Sequence, residues 1–177
     1  MKQVLVISST PRKGGNSERL CEEFARGVRE AGNKAEVVYL RDCQVGYCRG
    51  CYACKTLGHC VQKDDAEGII EKMLQADVIA FGTPVYYYTM SAQLKTLIDR
   101  LVPHYTKIRA DIYMFATAMD IDRKKLELTF ESIRGCTRDC FEGCEEKGTL
   151  AVGGVHQVGD IRDREELMKA FEMGLFA

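Results

Sequence analysis

Short apolar runs alternate along the chain with stretches in which apolar residues recur every three or four positions. KQVLVIS (2–8) is rich in β-branched residues and predicts a buried parallel strand. Leu20, Cys21, Phe24, Ala25 and Val28 then share one face of a helix predicted from Ser17 to Ala31. AEVVYL (35–40), DVIAFGTP (77–84), IYMFATAM (112–119) and TLAVGGV (149–155) predict four further strands. Helices are expected between them. One starts near Asp64 or Asp65 and turns Ile69, Ile70, Met73 and Leu74 inward. Others are expected from Ala92 through Leu101, where Pro103 intervenes, over 122–134 and over 164–174. The stretch 41–64 follows neither period and is too long for an ordinary connection.

Strands alternating with amphipathic helices predict an α/β protein with a parallel sheet. Five strands in this length fit a doubly wound, five-stranded parallel sheet of flavodoxin type, order 2-1-3-4-5, in three α/β/α layers. Residues 1–177 read as a single domain, with a cysteine-rich loop inserted at about 41–64.

Composition narrows the function classes. Apolar residues make up 46% and charged residues 29%, as in a folded globular protein. With 25 Lys and Arg against 26 Asp and Glu, no basic footprint predicts nucleic acid or an anionic membrane as partner. No apolar run reaches membrane-spanning length, and MKQVLVISSTPRKGG lacks the features of a secretory signal. A cytoplasmic protein with reduced thiols is therefore expected. In that setting nine cysteines point to metal or redox chemistry before disulfides.

Two loops carry candidate binding chemistry. SSTPRKGGNS (8–17) leaves the first strand at the edge where doubly wound sheets bind ligands. Ser9, Thr10, Asn16 and Ser17 supply hydroxyl and amide groups, and Arg12 supplies a positive charge. Gly14 and Gly15 allow backbone N–H groups to approach an anion, and the following helix start adds its dipole. The loop fits neither GxGxxG nor GxxxxGK[ST], and a plain capped turn is the alternative. After the third strand, Thr83, Pro84 and Val85 lead into Tyr86, Tyr87 and Tyr88, a flat surface suited to a planar heteroaromatic ligand. Ser91 adds a hydroxyl, and Thr117 stands near the end of the fourth strand. The tyrosines equally suit a subunit interface.

Cys48, Cys51, Cys54 and Cys60 follow C-x2-C-x2-C-x5-C. Bacterial ferredoxin runs begin with the same two spacings, whereas structural zinc more often uses two separated pairs. Disulfides or plain thiols are the further alternatives. Cys21 reads as core. Cys136, Cys140 and Cys144, spaced by four, would line one helical face if the helix continued that far. His104 and His156 stand apart from any nucleophile, and no catalytic residue is assigned.

The chain resembles the NADPH-dependent FMN reductase branch of flavodoxin-like proteins, and within it the iron–sulfur flavoproteins. The family's first loop, G-S-P-R-x-x-G-N-[ST], is matched by Ser9 to Ser17, with Ser9 replacing the glycine and Thr10 the serine. Its second motif, G-[ST]-P-[VI]-Y-x-x-x-[ML]-[ST]-[AG]-x-L-K-x-x-[IL]-D-R, is matched throughout 82–100. Lys63-Asp64-Asp65 and Gly153-Gly154-Val155 are also similar to the family. The resemblance implies an FMN-dependent oxidoreductase with NAD(P)H as electron donor. Phosphate would lie on the first loop and the isoalloxazine against 83–91. It also implies a [4Fe–4S] cluster on Cys48, Cys51, Cys54 and Cys60, and a homodimer or homotetramer. The alternatives are an electron carrier reduced by a ferredoxin-like partner and a zinc or thiol redox sensor on the same scaffold.

Overall fold

A computed structural model describes residues Met1–Ala177, the side chain of Arg123 excepted. Its centre is a five-stranded parallel sheet ordered β2-β1-β3-β4-β5. The strands are β1 (Gln3–Ser8), β2 (Lys34–Tyr39), β3 (Val78–Pro84), β4 (Asp111–Thr117) and β5 (Glu145–Val152). The order is the one expected. β1 and β3 sit inside the sheet and are covered on both faces, so Val4 to Ile7 and Val78 to Phe81 are apolar without alternation.

Two layers of helices follow from that two-sided burial. On one face, Leu5, Ile7, Ile79 and Phe81 pack with Ile70 and Met73 of α3 (Ala66–Gln75), Leu94 of α4 (Ala92–Asp99) and Ile133 of α5 (Arg123–Thr137). On the other, Val4, Val6 and Val78 pack with Leu20 and Phe24 of α1 (Asn16–Glu30) and Ala170 of α6 (Glu166–Leu175). The cysteine-rich insertion holds one short helix, α2 (Ala53–Leu57), which no periodicity foretold. Among the described residues no helix is long and apolar enough to cross a membrane.

The boundaries of β5 and α5 move furthest from their expected places. β5 begins at Glu145 rather than 149, because its first residues are charged and lie on an edge strand that tolerates them. Arg134 fixes that end, donating from Nε and Nη2 to the two carboxylate oxygens of Glu146 at 2.6 and 2.8 Å. α5 runs to Thr137, so Cys136 is helical; Cys140 follows in the turn beyond it, its N–H donating to the Cys136 carbonyl oxygen at 3.2 Å, and Cys144 lies outside the helix.

α1 and α6 touch backbone to backbone. A Cβ on Gly27 would come within 2.0 Å of the Phe171 carbonyl oxygen, and one on Gly174 within 2.1 Å of the Phe24 carbonyl oxygen. Gly174→Ala is expected to destabilise the chain by about 1–3 kcal/mol through overpacking. Gly68→Ala, in α3 with open space around it, should instead stabilise it by up to about 1 kcal/mol. Thermal unfolding of the two variants checks both signs.

Candidate functional site

The carboxyl ends of β1, β3 and β4 open onto a cavity of about 240 Å³. Thr10, Arg12, Gly15, Asn16 and Ser17 line it from the first loop, Pro84, Val85 and Tyr86 from the second, and Thr117 from the end of β4. All nine are among the residues that the sequence marks as candidate ligand contacts, and the topology brings them to one edge.

The first loop is shaped for an oxyanion. Gly15 starts α1 with no side chain capping it, which leaves the first-turn N–H groups open to a ligand. A Cβ there would meet the Thr10 Oγ1 and the Arg12 carbonyl oxygen at 2.9 Å, so the position needs glycine. The Ser17 hydroxyl and the Asn16 Oδ1 are buried without a hydrogen-bond partner. Buried polar atoms are normally paired, and a bound phosphate would accept from the Ser17 hydroxyl. The donor set therefore fits a phosphate monoester such as that of FMN.

Residues that carry no motif support this loop. Glu18 is buried; its Oε1 accepts from the Gly14 N–H at 3.1 Å, and its Oε2 is paired with Arg41. The guanidinium balances a carboxylate that would otherwise repel an anion. Across the cavity, the Arg12 Nη1 donates to the His156 carbonyl oxygen at 2.7 Å, and the Asn16 Nδ2 donates to that of Gln157 at 2.9 Å. The Asp160 Oδ2 accepts from the backbone N–H groups of His156 and Gln157 at 2.8 and 2.7 Å, which hold its carboxyl below the ordinary range. Long sequence separation hid these partners: Asp160 acts on residues 144 or more positions before it through the carbonyls it orients.

Five of the expected site residues lie outside the cavity. Ser9, Thr83 and Ser91 are fully buried and bond to one another's loops. The Ser91 hydroxyl donates toward the Ser9 Oγ at 2.9 Å, the Ser9 hydroxyl donates to the Gly82 carbonyl oxygen at 2.9 Å, and the Ser91 N–H donates to the Thr83 Oγ1 at 2.9 Å. They join the two loops, and their hydroxyls are spent on that. Tyr87 and Tyr88 occupy the corner of a two-residue hairpin between Tyr86 and Thr89, both with left-handed φ, 50° and 61°. The turn throws Tyr87 wholly into solvent, while the Tyr88 hydroxyl donates to the Asp120 carboxylate at 3.2 Å under Lys125. Only Tyr86 of the three lines the cavity.

The cysteine-rich insertion is closed at its base. Arg100, its side chain 1% exposed, donates from Nη1 to the Gly46 carbonyl oxygen at 2.8 Å and from Nη1 and Nη2 to the two oxygens of Asp64 at 2.6 and 3.1 Å. The Asp64 Oδ2 also accepts from the Gly46 N–H at 2.9 Å, and its Oδ1 from the Ala66 N–H at 3.1 Å. Burial pushes the Asp64 carboxyl upward, but Arg100 and the two N–H groups outweigh it and hold the group low. Beyond this clamp, Cys48 and Cys51 are exposed and Cys54 and Cys60 half-buried. Among the described residues, no three Cys, His, Asp or Glu side chains gather closely enough to hold one metal ion.

The model of the family described as NADPH-dependent FMN reductase matches residues 2–124. An iron–sulfur flavoprotein of Archaeoglobus fulgidus is 35% identical over 104 residues, 59% of this chain and 47% of that protein. One of Methanocaldococcus jannaschii is 42% identical over 101 residues, 57% of this chain and 52% of that protein. The matched stretch thus spans about half the length of either relative. The solved structure of an NAD(P)H:quinone oxidoreductase from Methanothermobacter marburgensis shares the fold, with a TM-score of 0.75 at 22% identity over 98% of this chain and 94% of that one.

Because Asp64 has a depressed carboxyl, its contribution to stability is present above the unfolded value of about 4 and fades as pH falls toward the folded one. Asp64→Asn should cost about 2–3 kcal/mol at pH 7, less than for a fully buried pair because the carboxylate is partly solvated. The gap to the unsubstituted chain should narrow as pH falls below 4. Urea unfolding of both proteins across that range measures it; a gap constant with pH would sink the assignment.

Proposed function

Because the chain belongs to the NADPH-dependent FMN reductase family, we propose that it is an FMN-dependent oxidoreductase that takes its electrons from NADPH or NADH. The observation that carries this reading is the uncapped start of α1, with the buried Ser17 hydroxyl unpartnered beside the glycine cradle of Gly15. Thr10, Arg12 and Ser17 would bind the phosphate of FMN, and Pro84, Val85 and Tyr86 would flank its ring. Bound FMN supplies hydride and one-electron chemistry. The chain's own residues bind and orient it, and none needs to act as acid or base.

A second reading draws on the cysteines. Four thiols in a clamped arc, with relatives named iron–sulfur flavoproteins, support an iron–sulfur centre there and an electron carrier reduced by a ferredoxin-like partner. The wholly exposed Tyr87 and the exposed Met119, which lines the cavity, support assembly into a homodimer or homotetramer. A cytoplasmic, reducing environment suits the free thiols.

Arg12→Ala and Ser17→Ala should each weaken FMN binding about tenfold or more, as expected for losing a hydrogen bond to a charged group. Quenching of flavin fluorescence on titration reads the affinity. Anaerobic mixing of the FMN-loaded protein with NADPH or NADH tests the donor. Bleaching of the flavin supports the oxidoreductase reading; no bleaching by either nucleotide, with reduction by ferredoxin, would favour the carrier.

A further inference from the structure

The cavity between the first two loops has a third wall. Val155, His156 and Val158 line it from the turn after β5, beyond the residues 2–124 that the family model matches. A connecting turn is a poor support for a binding group unless something fixes its backbone. This one is fixed at both ends. Gly153 passes so close to the chain leaving β4 that a Cβ would come within 2.6 Å of the Asp120 carbonyl oxygen. The Val155 N–H donates to the Ala118 carbonyl oxygen at 3.0 Å, and the Val155 side chain is buried. At the far end Ile161 is fully buried in the core that holds α1.

Between those anchors Asp160 shapes the backbone. Its Oδ2 accepts from two successive N–H groups, those of His156 and Gln157, and its own N–H closes back on the Gln157 carbonyl oxygen at 3.3 Å. One peptide group carries this across to the first loop. The N–H of the peptide joining His156 to Gln157 meets the carboxylate, and the C=O of the same peptide accepts from the Arg12 Nη1 at 2.7 Å. A negative charge at the N–H end polarises the group and strengthens its oxygen as an acceptor for a guanidinium. The next carbonyl, that of Gln157, accepts from the Asn16 Nδ2 at 2.9 Å. Two long polar side chains of the first loop are thus held from one turn. A guanidinium has five N–H donors, so the bond to His156 leaves others for a ligand. Asp160 is exposed and does not itself line the cavity, so its influence passes through Arg12 and Asn16.

Resting on the FMN reading above, we propose that Asp160 is a positioning residue for the flavin phosphate. It fixes the 155–160 turn as a third wall whose carbonyls hold Arg12 and Asn16 in place, and so favours phosphorylated over unphosphorylated flavin. A turn outside the family-matched stretch then sets the selectivity of the loop within it.

Quenching of flavin fluorescence on titration of the full chain measures the affinities for FMN and riboflavin, which differ only in the phosphate. The unsubstituted chain should bind FMN about tenfold or more tighter than riboflavin. Asp160→Ala should weaken FMN about five- to tenfold and leave riboflavin within about twofold, so that the ratio narrows. Asp160→Asn keeps an acceptor oxygen and should stay within about threefold of the unsubstituted chain for FMN. In an Arg12→Ala background, Asp160→Ala should cost less than it does alone, because part of its effect passes through Arg12. Circular dichroism should show every variant folded. Equal weakening of both flavins by Asp160→Ala, unchanged FMN affinity, full additivity with Arg12→Ala, or an asparagine variant as weak as the alanine one each overturns the positioning role and leaves the FMN reading standing. An unsubstituted chain that binds FMN no tighter than riboflavin, or binds neither, overturns both.

Discussion

The arrangement of the functional half of the chain depends on one buried guanidinium. Arg100 sits at the end of α4 with almost no exposure and would be costly there without an anion to meet it. Asp64 supplies the charge, and Gly46 supplies both an acceptor to Arg100 and a donor to Asp64. Neighbouring pairs extend the closure, since Gln44 and Asp65 bond twice and the Gln62 amide donates to the Tyr47 carbonyl oxygen at 3.1 Å. An insertion of this length would otherwise sample many conformations. Here its two ends are fixed to the helix layer and only the arc between them is free of the core. The same pair also sets where α3 begins, because Asp64 accepts from the N–H of Ala66.

Much of this was legible in the sequence. The apolar runs of β1 and β3 and the helical period of α1 were strong signals because the central strands are covered on both sides and α1 buries a single stripe. The weak signals were at the edges. Glu145 to Lys147 form a strand that no hydrophobic pattern announces, since an edge strand can expose charge. Within the candidate site, the first loop was readable as a contiguous motif, and its residues do meet. The supporting partners were not readable, because Glu18 with Arg41, and Asp160 with the carbonyls that hold Arg12 and Asn16, are joined only by the fold. Ser9, Thr83 and Ser91 look like ligand donors in a motif, and in the fold they lie buried and tie one loop to the other.

That tie has an electrostatic counterpart. The first loop presents neutral donors and one exposed arginine, while the buried carboxylate beside it, Glu18, is matched by Arg41. A helix start and hydroxyls thus stand there without an unbalanced negative neighbour among the described residues, the setting that the proposed phosphate would need. The backbone contact between α1 and α6 braces the same helix from behind, so the cradle rests on the most closely packed helix pair of the molecule's second face.

α4 links the two ends of this design. Its first residue follows Ser91, which belongs to the hydroxyl tie between the first two loops, and its last precedes Arg100. Eight helical residues make it a ruler of about 12 Å. The gap between the two cavity-lining loops and the base of the cysteine arc is thus set by a rigid rod rather than by a flexible segment. Natural variation should respect this asymmetry: the arc beyond the clamp can gain or lose residues at its tip, whereas one added turn in α4 would displace one site from the other by about 5.4 Å.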